Sequence, residues 1–298
     1  MVAAEIDDST QLAGDSIAAR FCYTPGTAIF DYPTRVDLFA DPRAYLQDRV
    51  AALSELQQKL YAEQRVSLLV VFQGMDAAGK DSTIKHVTSG VNPQGFQVFN
   101  FKQPTYKDID HNYLWRYWQA MPERGRIGIF NRSHYEEVLV VKVHPEILQA
   151  RRLPQQSFDE RFWRNRYQDI RSLERHLNEN GTKVVKFFLN VSREEQRRRL
   201  QKRLDNPEKF WKFDPRDIDE RQHWDDYQNA YQQAVTATHT DDAPWYLIPA
   251  DHKWTMRATV AAIVTVELAG LDPRYPEPTE EQLAKINWAR EQLAAEGG

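Results

Sequence analysis

Cysteine is nearly missing from this chain of 298 residues, with Cys22 the single one. An intramolecular disulfide and a cysteine zinc cluster are therefore excluded, and a reducing, cytoplasmic setting is the expectation. No apolar run approaches the roughly 18 residues that cross a bilayer, so no membrane partner is expected. The first eight residues are acidic and polar where a secretion signal is basic and then apolar. Positive charge is not in excess either. Lys and Arg number 39 against 43 Asp and Glu, a formal net charge of −4, which argues against nucleic acid as a partner. Internal repeats and low-complexity tracts are missing as well. What is present is 41% hydrophobic, enough to bury one large α/β domain, with or without extensions.

One stretch organises the rest. The apolar run Val66–Phe72 ends at Gly74, and Gly79-Lys80 follows five residues later. Strand, glycine loop and helix in that order form the phosphate-binding pattern G-x-x-x-x-G-K. Glycines let backbone N–H groups converge on phosphate oxygens, the next helix adds its positive dipole end, and Lys80 adds a mobile point charge. The residue after the lysine is usually Ser or Thr. Here it is Asp81, with Ser82 one step later. The loop also holds Asp76, a carboxylate that a bound anion would repel unless a divalent cation sat between them. Asp76 is thus read as a magnesium ligand, the other reading being an aspartate that braces the loop through backbone N–H groups.

Around that stretch the chain reads as alternating strands and helices. Residues 1–40 have little periodicity and are expected as an irregular arm. Asp41-Pro42 opens a helix whose Leu46, Val50, Leu53, Leu56 and Leu60 face the core. Strands are expected at Phe96–Phe101, Arg126–Phe130, Lys183–Val191 and Trp245–Pro249. Helices are expected over Asp110–Met121, from a capping box at Ser157–Glu160 to about Asn180, over Asp217–Ala237 and over Thr255–Leu268. The result is an α/β fold: a P-loop kinase-like three-layer αβα sandwich with a parallel sheet and a helical lid. The kinase domain is placed at 41–275, the lid at about 193–225 and a Pro- and Glu-rich tail at 276–298. The aromatic segment with Tyr113, Trp115, Tyr117 and Trp118 is either core filler or a platform for a nucleobase.

Two further segments carry candidate chemistry. The third strand ends in Asn131-Arg132-Ser133-His134-Tyr135-Glu136-Glu137. In phosphate-loop kinases an acidic residue reaches the metal from the end of such a strand. Asn131 stands in that place and brings no charge, so more of the counter-charge falls to Asp76. Arg132 is placed to grip phosphate oxygens. Glu136 is either a helix-start residue favoured by the dipole or a metal or nucleotide contact. Residues 193–212 are locally basic, and Asn206-Pro207 breaks the helix there. The run is either a solvated face or a lid that closes cations over an anion.

Four separated motifs, Gly74–Lys85, Gly90–Gly95, Ile129–Val141 and Arg203–Phe213, closely resemble those of the type 2 polyphosphate kinase family, over about residues 40–275. With Asn131 and Glu136, the chain resembles the subgroup that phosphorylates both nucleoside mono- and diphosphates. The resemblance implies transfer of the terminal phosphoryl of inorganic polyphosphate to AMP or ADP, with guanine nucleotides left open, and with Mg2+ as cofactor. It puts Asp76, Lys80 and Arg132 in catalytic positions and Asp76 with Asn131 at the metal. Lys80, Lys85, Arg132 and, among the arginines of 197–203, Arg198, Arg199 and Arg203 are then the polyphosphate contacts. Gly74, Ala77, Gly79, Asn92 and Glu136 are the nucleotide contacts. An ionised acceptor phosphate, with a second pKa of about 6, needs no strong base, so catalysis rests on positioning and charge neutralisation. An ATP-dependent nucleoside monophosphate kinase and a non-catalytic binding protein share the same loop and fold. Aromatic surface helices and the long tail leave room for subunit contacts, and a homo-oligomer is the expectation.

Overall fold

Seven residues, Ser67–Gln73, form β1, and all seven are buried. A strand apolar on both faces belongs at the centre of a covered parallel sheet, and that is its place here. The structure, a computed structural model, describes residues 8–154 and 157–296. In chain order its elements are α1 (Asp8–Phe21), α2 (Pro42–Glu63), β1, α3 (Lys80–Val87), β2 (Phe96–Asn100), α4 (Tyr106–Ile109), α5 (Trp115–Trp118), β3 (Ile127–Asn131), α6 (Val140–Val143), α7 (Glu146–Gln149) and α8 (Glu160–Glu179). Then follow β4 (Thr182–Asn190), α9 (Arg193–Leu204), α10 (Arg216–Glu220), α11 (Trp224–Thr238), β5 (Trp245–Pro249), α12 (Lys253–Ala269) and α13 (Glu280–Glu296). The five strands form one parallel sheet in the order β2-β3-β1-β4-β5. Helices α1, α2, α3 and α12 pack together on one face, and α6, α8 and α11 cover the other. This is the three-layer αβα arrangement read from the sequence. No helix among the described residues is long and apolar enough to cross a membrane.

Local sequence sets the element ends. Asp41 caps α2, its Oδ1 accepting from the backbone N–H groups of Arg43 and Ala44 at 2.9 and 3.2 Å, with Pro42 in the first turn. Gly79, with φ of 113°, turns the chain into α3. A Cβ there would lie 3.0 Å from Met256 Cε in the first turn of α12, so α12 seats directly against the phosphate loop.

Four expectations are corrected. Residues 1–7 of the irregular arm lie outside the described residues, but much of the rest is α1. Its Ile17, Ala18 and Phe21 are buried, and a Cβ on Gly14 would come within 2.7 Å of Val266 on α12. Packing rather than propensity thus makes that helix. The aromatic helix expected over 110–121 is instead the single short turn α5, with α4 ending just before that stretch. The cap of α8 is Asp159, which accepts from Phe162 N at 3.0 Å, not Ser157. The helix expected over 217–237 is broken into α10, a 3-10 turn at Arg221–His223 and α11.

Candidate active site

The carboxyl ends of β1, β3 and β4 converge where the strand order reverses, the usual ligand crevice of such sheets. Phe72 pairs in register with Asn131 and Gln73 with Phe188, so the loops after these strands share one floor. Lys80 is buried there, its Nζ donating to the carbonyls of Gly74 (2.5 Å) and Met75 (3.3 Å). Burial, reinforced by the Arg132 charge, pulls its pKa below the ordinary lysine value, with Asp76 and Glu136 opposing.

Asp76 and Arg132, 56 positions apart, meet directly: Arg132 Nη2 donates to Asp76 Oδ1 at 2.9 Å. The same guanidinium lies 3.9 Å from Glu136 through Nη1. Glu136 first, then Asp76, raise the arginine's pKa against the opposing effect of burial. Burial pushes the Glu136 carboxyl above the usual glutamate range, with Arg132 and Lys80 holding it back. Arg132 sits at φ of 62° and Ala77 at 60°. Two left-handed non-glycine residues facing one crevice are backbone strain of the kind that functional sites hold. Asp76 is tied from behind as well, because Gln196 Nε2 donates to its carbonyl at 2.9 Å.

Asn131 is buried and reaches Asp81, its Nδ2 donating to Oδ1 at 2.6 Å, while its own Oδ1 is buried without a partner. Ser82, the candidate hydroxyl, donates back to Gly79 O. Across the crevice, Arg203 pairs with Asp217 at 3.0 Å. Burial, then the Asp76 carboxylate, push Asp217 up to about 6 against the pull of Arg203.

Four candidate contacts are not brought to this group. Arg199 is 8% exposed and spends all its N–H groups inside the protein. Nε donates to Glu195, Nη1 to the carbonyls of Ala77 and Ala78, and Nη2 to those of Ala250 and Asp251. A guanidinium has five donors, and none is left for a phosphate. Arg199 is a strut under the loop, not a polyphosphate ligand. Asn92 is corrected too. Its Oδ1 accepts from Gln94 N in the turn that leads into β2, at the end of the sheet opposite the phosphate loop. The motif around it is built for packing, since a Cβ on Gly95 would fall 1.4 Å from Gln57 Nε2. Lys85 is exposed near the end of α3 and pairs with no carboxylate among the described residues. Arg198 is largely exposed and pairs with Glu195.

Other residues escaped the sequence reading. Lys186, in the middle of buried β4, donates from Nζ to Glu174 Oε2 (2.6 Å) and Thr238 O (2.8 Å). Tyr135 OH donates to Glu174 Oε1 at 2.7 Å, anchoring the turn that carries Arg132 and Glu136. A lysine inside an apolar strand was the available signal, since a buried cation demands a partner. Glu137 is buried between Arg151 (2.8 Å) and Arg166 (3.1 Å), with Arg166 over the Tyr113 ring at 4.4 Å. Of the aromatic residues, Tyr117 is core. Trp115 is stacked on His111 with centroids 4.0 Å apart.

A phosphate loop, a strand-end arginine on the loop carboxylate and a basic helical segment facing both describe a phosphoryl-transfer site. A model of the family described as Polyphosphate kinase 2 (PPK2) matches residues 40–275. The chain belongs to the polyphosphate kinase 2 family. It is 49% identical over 267 residues to the ADP-polyphosphate phosphotransferase of Rhodopseudomonas palustris, covering 88% of this chain and 92% of that one. It is also 49% identical over 226 residues to the AMP/ADP-polyphosphate phosphotransferase of Meiothermus ruber, covering 76% and 80%. The crystal structure of polyphosphate kinase 2 from Arthrobacter aurescens TC1 superposes with a TM-score of 0.84 at 36% identity, covering 92% of this chain and 96% of that chain. Within this polyphosphate kinase 2 fold, α9 and α10 occupy the place the sequence assigned to the lid, and Asp217, paired there with Arg203, is close enough to Asp76 to feel its charge.

Proposed function

We propose that this chain transfers the terminal phosphoryl of inorganic polyphosphate to AMP, ADP or both. The contact between Asp76 and Arg132 carries the proposal. It joins the phosphate loop to the β3 turn, and Lys80 lies close enough to feel both charges. The family relatives named for AMP and ADP support the acceptor class.

The residues present fit a magnesium ion. Among the described residues no cluster of three acidic, histidine or cysteine side chains could hold a metal unaided. Magnesium suits such a site, since it binds one or two carboxylates and takes substrate phosphates and waters for the rest. Asp76 supplies the carboxylate, and the unpaired Asn131 Oδ1 supplies an acceptor for a bound water. When bound, the ion neutralises charge on phosphate oxygens. Arg132 and Lys80 stabilise charge on the moving phosphoryl, and loop N–H groups at Gly74, Ala77 and Gly79 orient the phosphates. Glu136 steadies Arg132 through its other terminal nitrogen, 3.9 Å away, while Asp76 takes Nη2. The acceptor phosphate is already mostly ionised at neutral pH, its second pKa being about 6, so no side chain needs to act as base.

The proposal includes guanine nucleotides as further acceptors, a cytoplasmic setting and a homo-oligomer. Leu283, Ile286, Trp288 and Leu293, all exposed on α13, support subunit contacts, which light scattering would detect. The activity is tested by incubating the protein with magnesium, long-chain polyphosphate and either AMP or ADP, then resolving nucleotides by chromatography. Formation of ADP or ATP without added ATP is the expected result. Turnover only when ATP is the donor would overturn the reading.

A further inference from the structure

Outside the crevice, one group of cations has no matching acids. Arg43 at the start of α2 and Arg257 on α12 both lie over the Trp254 ring, at 4.4 and 4.5 Å from its centroid. His86 on α3 meets the same ring edge-on at 5.3 Å. Arg257 is 7% exposed, and its Nε is buried without a hydrogen-bond partner. Lys253 opens α12, and no side chain caps that helix, so its first N–H groups are left without a side-chain acceptor at the positive dipole end. Among the described residues, Arg43, Lys202, Lys253 and Arg257 form no ion pair with any carboxylate. Glu195 is the acid nearest Lys253, and it already engages Arg198 and Arg199. Buried or clustered like charges without partners are unfavourable unless something compensates them. The group abuts the phosphate loop, because Met256 in the first turn of α12 touches Gly79. Arg199 bridges the loop carbonyls and those of Ala250 and Asp251 just before α12.

We propose that Arg43, Lys253 and Arg257, with Lys202 at the margin and the open N-terminus of α12, form an outer subsite for an extended phosphate chain, holding units several positions behind the one that is transferred. This rests on the polyphosphate reading above and extends it to a second, remote contact. A chain leaving the loop past Gly79 reaches the α12 N-terminus first and Arg43 beyond it. The tuned pKa values agree with it. Burial and the neighbouring cations, Arg199 foremost, hold both Lys253 and Arg257 below their ordinary values, so a polyanion there relieves repulsion as well as gaining attraction. A nucleotide's own phosphates are the other source of such chemistry, and they are too few to span loop and subsite together.

The test compares donors of different length. Arg43→Ala, Lys253→Ala and the double variant, all at exposed side chains, are assayed at fixed ADP with long-chain polyphosphate and with tripolyphosphate. Melting curves check that they fold. The double variant is expected to raise KM for the long chain about tenfold, the loss of two modest charge contacts, and KM for tripolyphosphate less than about twofold. The slope of log KM against log salt for the long chain should fall by about two. A control that removes the same charge elsewhere, Lys59→Ala with Lys285→Ala, should leave the long-to-short ratio unchanged. Displacement of bound long-chain polyphosphate by added ATP gives an arm independent of turnover, and weak displacement is expected. Equal losses on both donors, no loss on the long chain, or the same ratio change in the control would overturn the subsite. A wild-type protein inert toward every polyphosphate would instead overturn the function on which it depends.

Discussion

Arg199→Ala separates two roles that a basic helix allows, ligand and strut. In the structure the side chain makes hydrogen bonds to five acceptors, four of them backbone carbonyls, from a position 8% exposed. Truncation leaves the carbonyls of Ala77, Ala78, Ala250 and Asp251 without that donor and Glu195 without its buried partner. Breaking a buried, hydrogen-bonded ion pair typically costs about 3–5 kcal/mol. A chain of this size loses roughly 2–3 °C of melting temperature per kcal/mol, so Tm should drop by about 6–15 °C. Arg199→Lys should recover little, since an ammonium cannot reproduce the planar fork. The adjacent Arg198 is the internal control: it is 69% exposed and pairs only with Glu195, so Arg198→Ala should move Tm by no more than about 2 °C. Differential scanning calorimetry reads all three variants. If Arg199→Ala melts with the wild type and merely weakens polyphosphate use, the strut assignment is wrong and the side chain faces the substrate.

Three more outcomes follow from the same contacts. Asp76→Asn should lower kcat at least about a hundredfold while changing stability by no more than about 1 kcal/mol, because its ion pair with Arg132 is partly exposed; near-normal turnover would remove the carboxylate from the reaction. The raised Asp217 pKa makes the folded protein bind a proton more tightly than the unfolded chain. Its contribution therefore favours the fold at acid pH and is lost as pH rises through about 6. Protonation also releases Arg203 from its pair, so KM for polyphosphate should fall as pH drops through 6 in the wild type. That inflection should vanish in Asp217→Asn, with Asp76, Arg132 and Asp214 still facing the site; an identical profile in the variant would refute the link. Glu174→Ala should destabilise the protein by about 3–5 kcal/mol in a urea melt, because Lys186 is left charged and buried. Pairing it with Lys186→Met should return much of that loss, and no recovery would mean the pair is not the cause.

Much of the fold was legible because its strongest signals are local. The apolar run into Gly74, the Asp41-Pro42 start of α2 and the spacing of Leu46 to Leu60 each report a structure the neighbouring residues dictate. The pairing of Asp76 with Arg132 could be inferred too, since a phosphate site at a switch point brings the ends of β1 and β3 together. What stayed hidden depends on distant packing. Helix α1 exists because Gly14 lets it press on α12, and nothing within residues 8–21 announces that partner. Arg199 looks like its neighbours Arg197 and Arg198, and only the helix phase, set by burial against the loop, turns it inward. Asn92 shares a motif with functional stretches, yet the crossover carries it to the far end of the sheet. Asp217 gave no signal because its environment comes from Asp76, far away in sequence.

The central claim is that charges from three distant segments confine the end of a polyphosphate chain beside a nucleotide. It is tested most directly by following the phosphorus atom itself. Uniformly radiolabelled polyphosphate and unlabelled ADP are mixed with magnesium and the protein, and the products are separated. The account predicts label in the γ-phosphate of ATP, formed at a rate that Asp76→Asn lowers at least about a hundredfold. Label appearing only as free orthophosphate, with no labelled nucleotide, would contradict it.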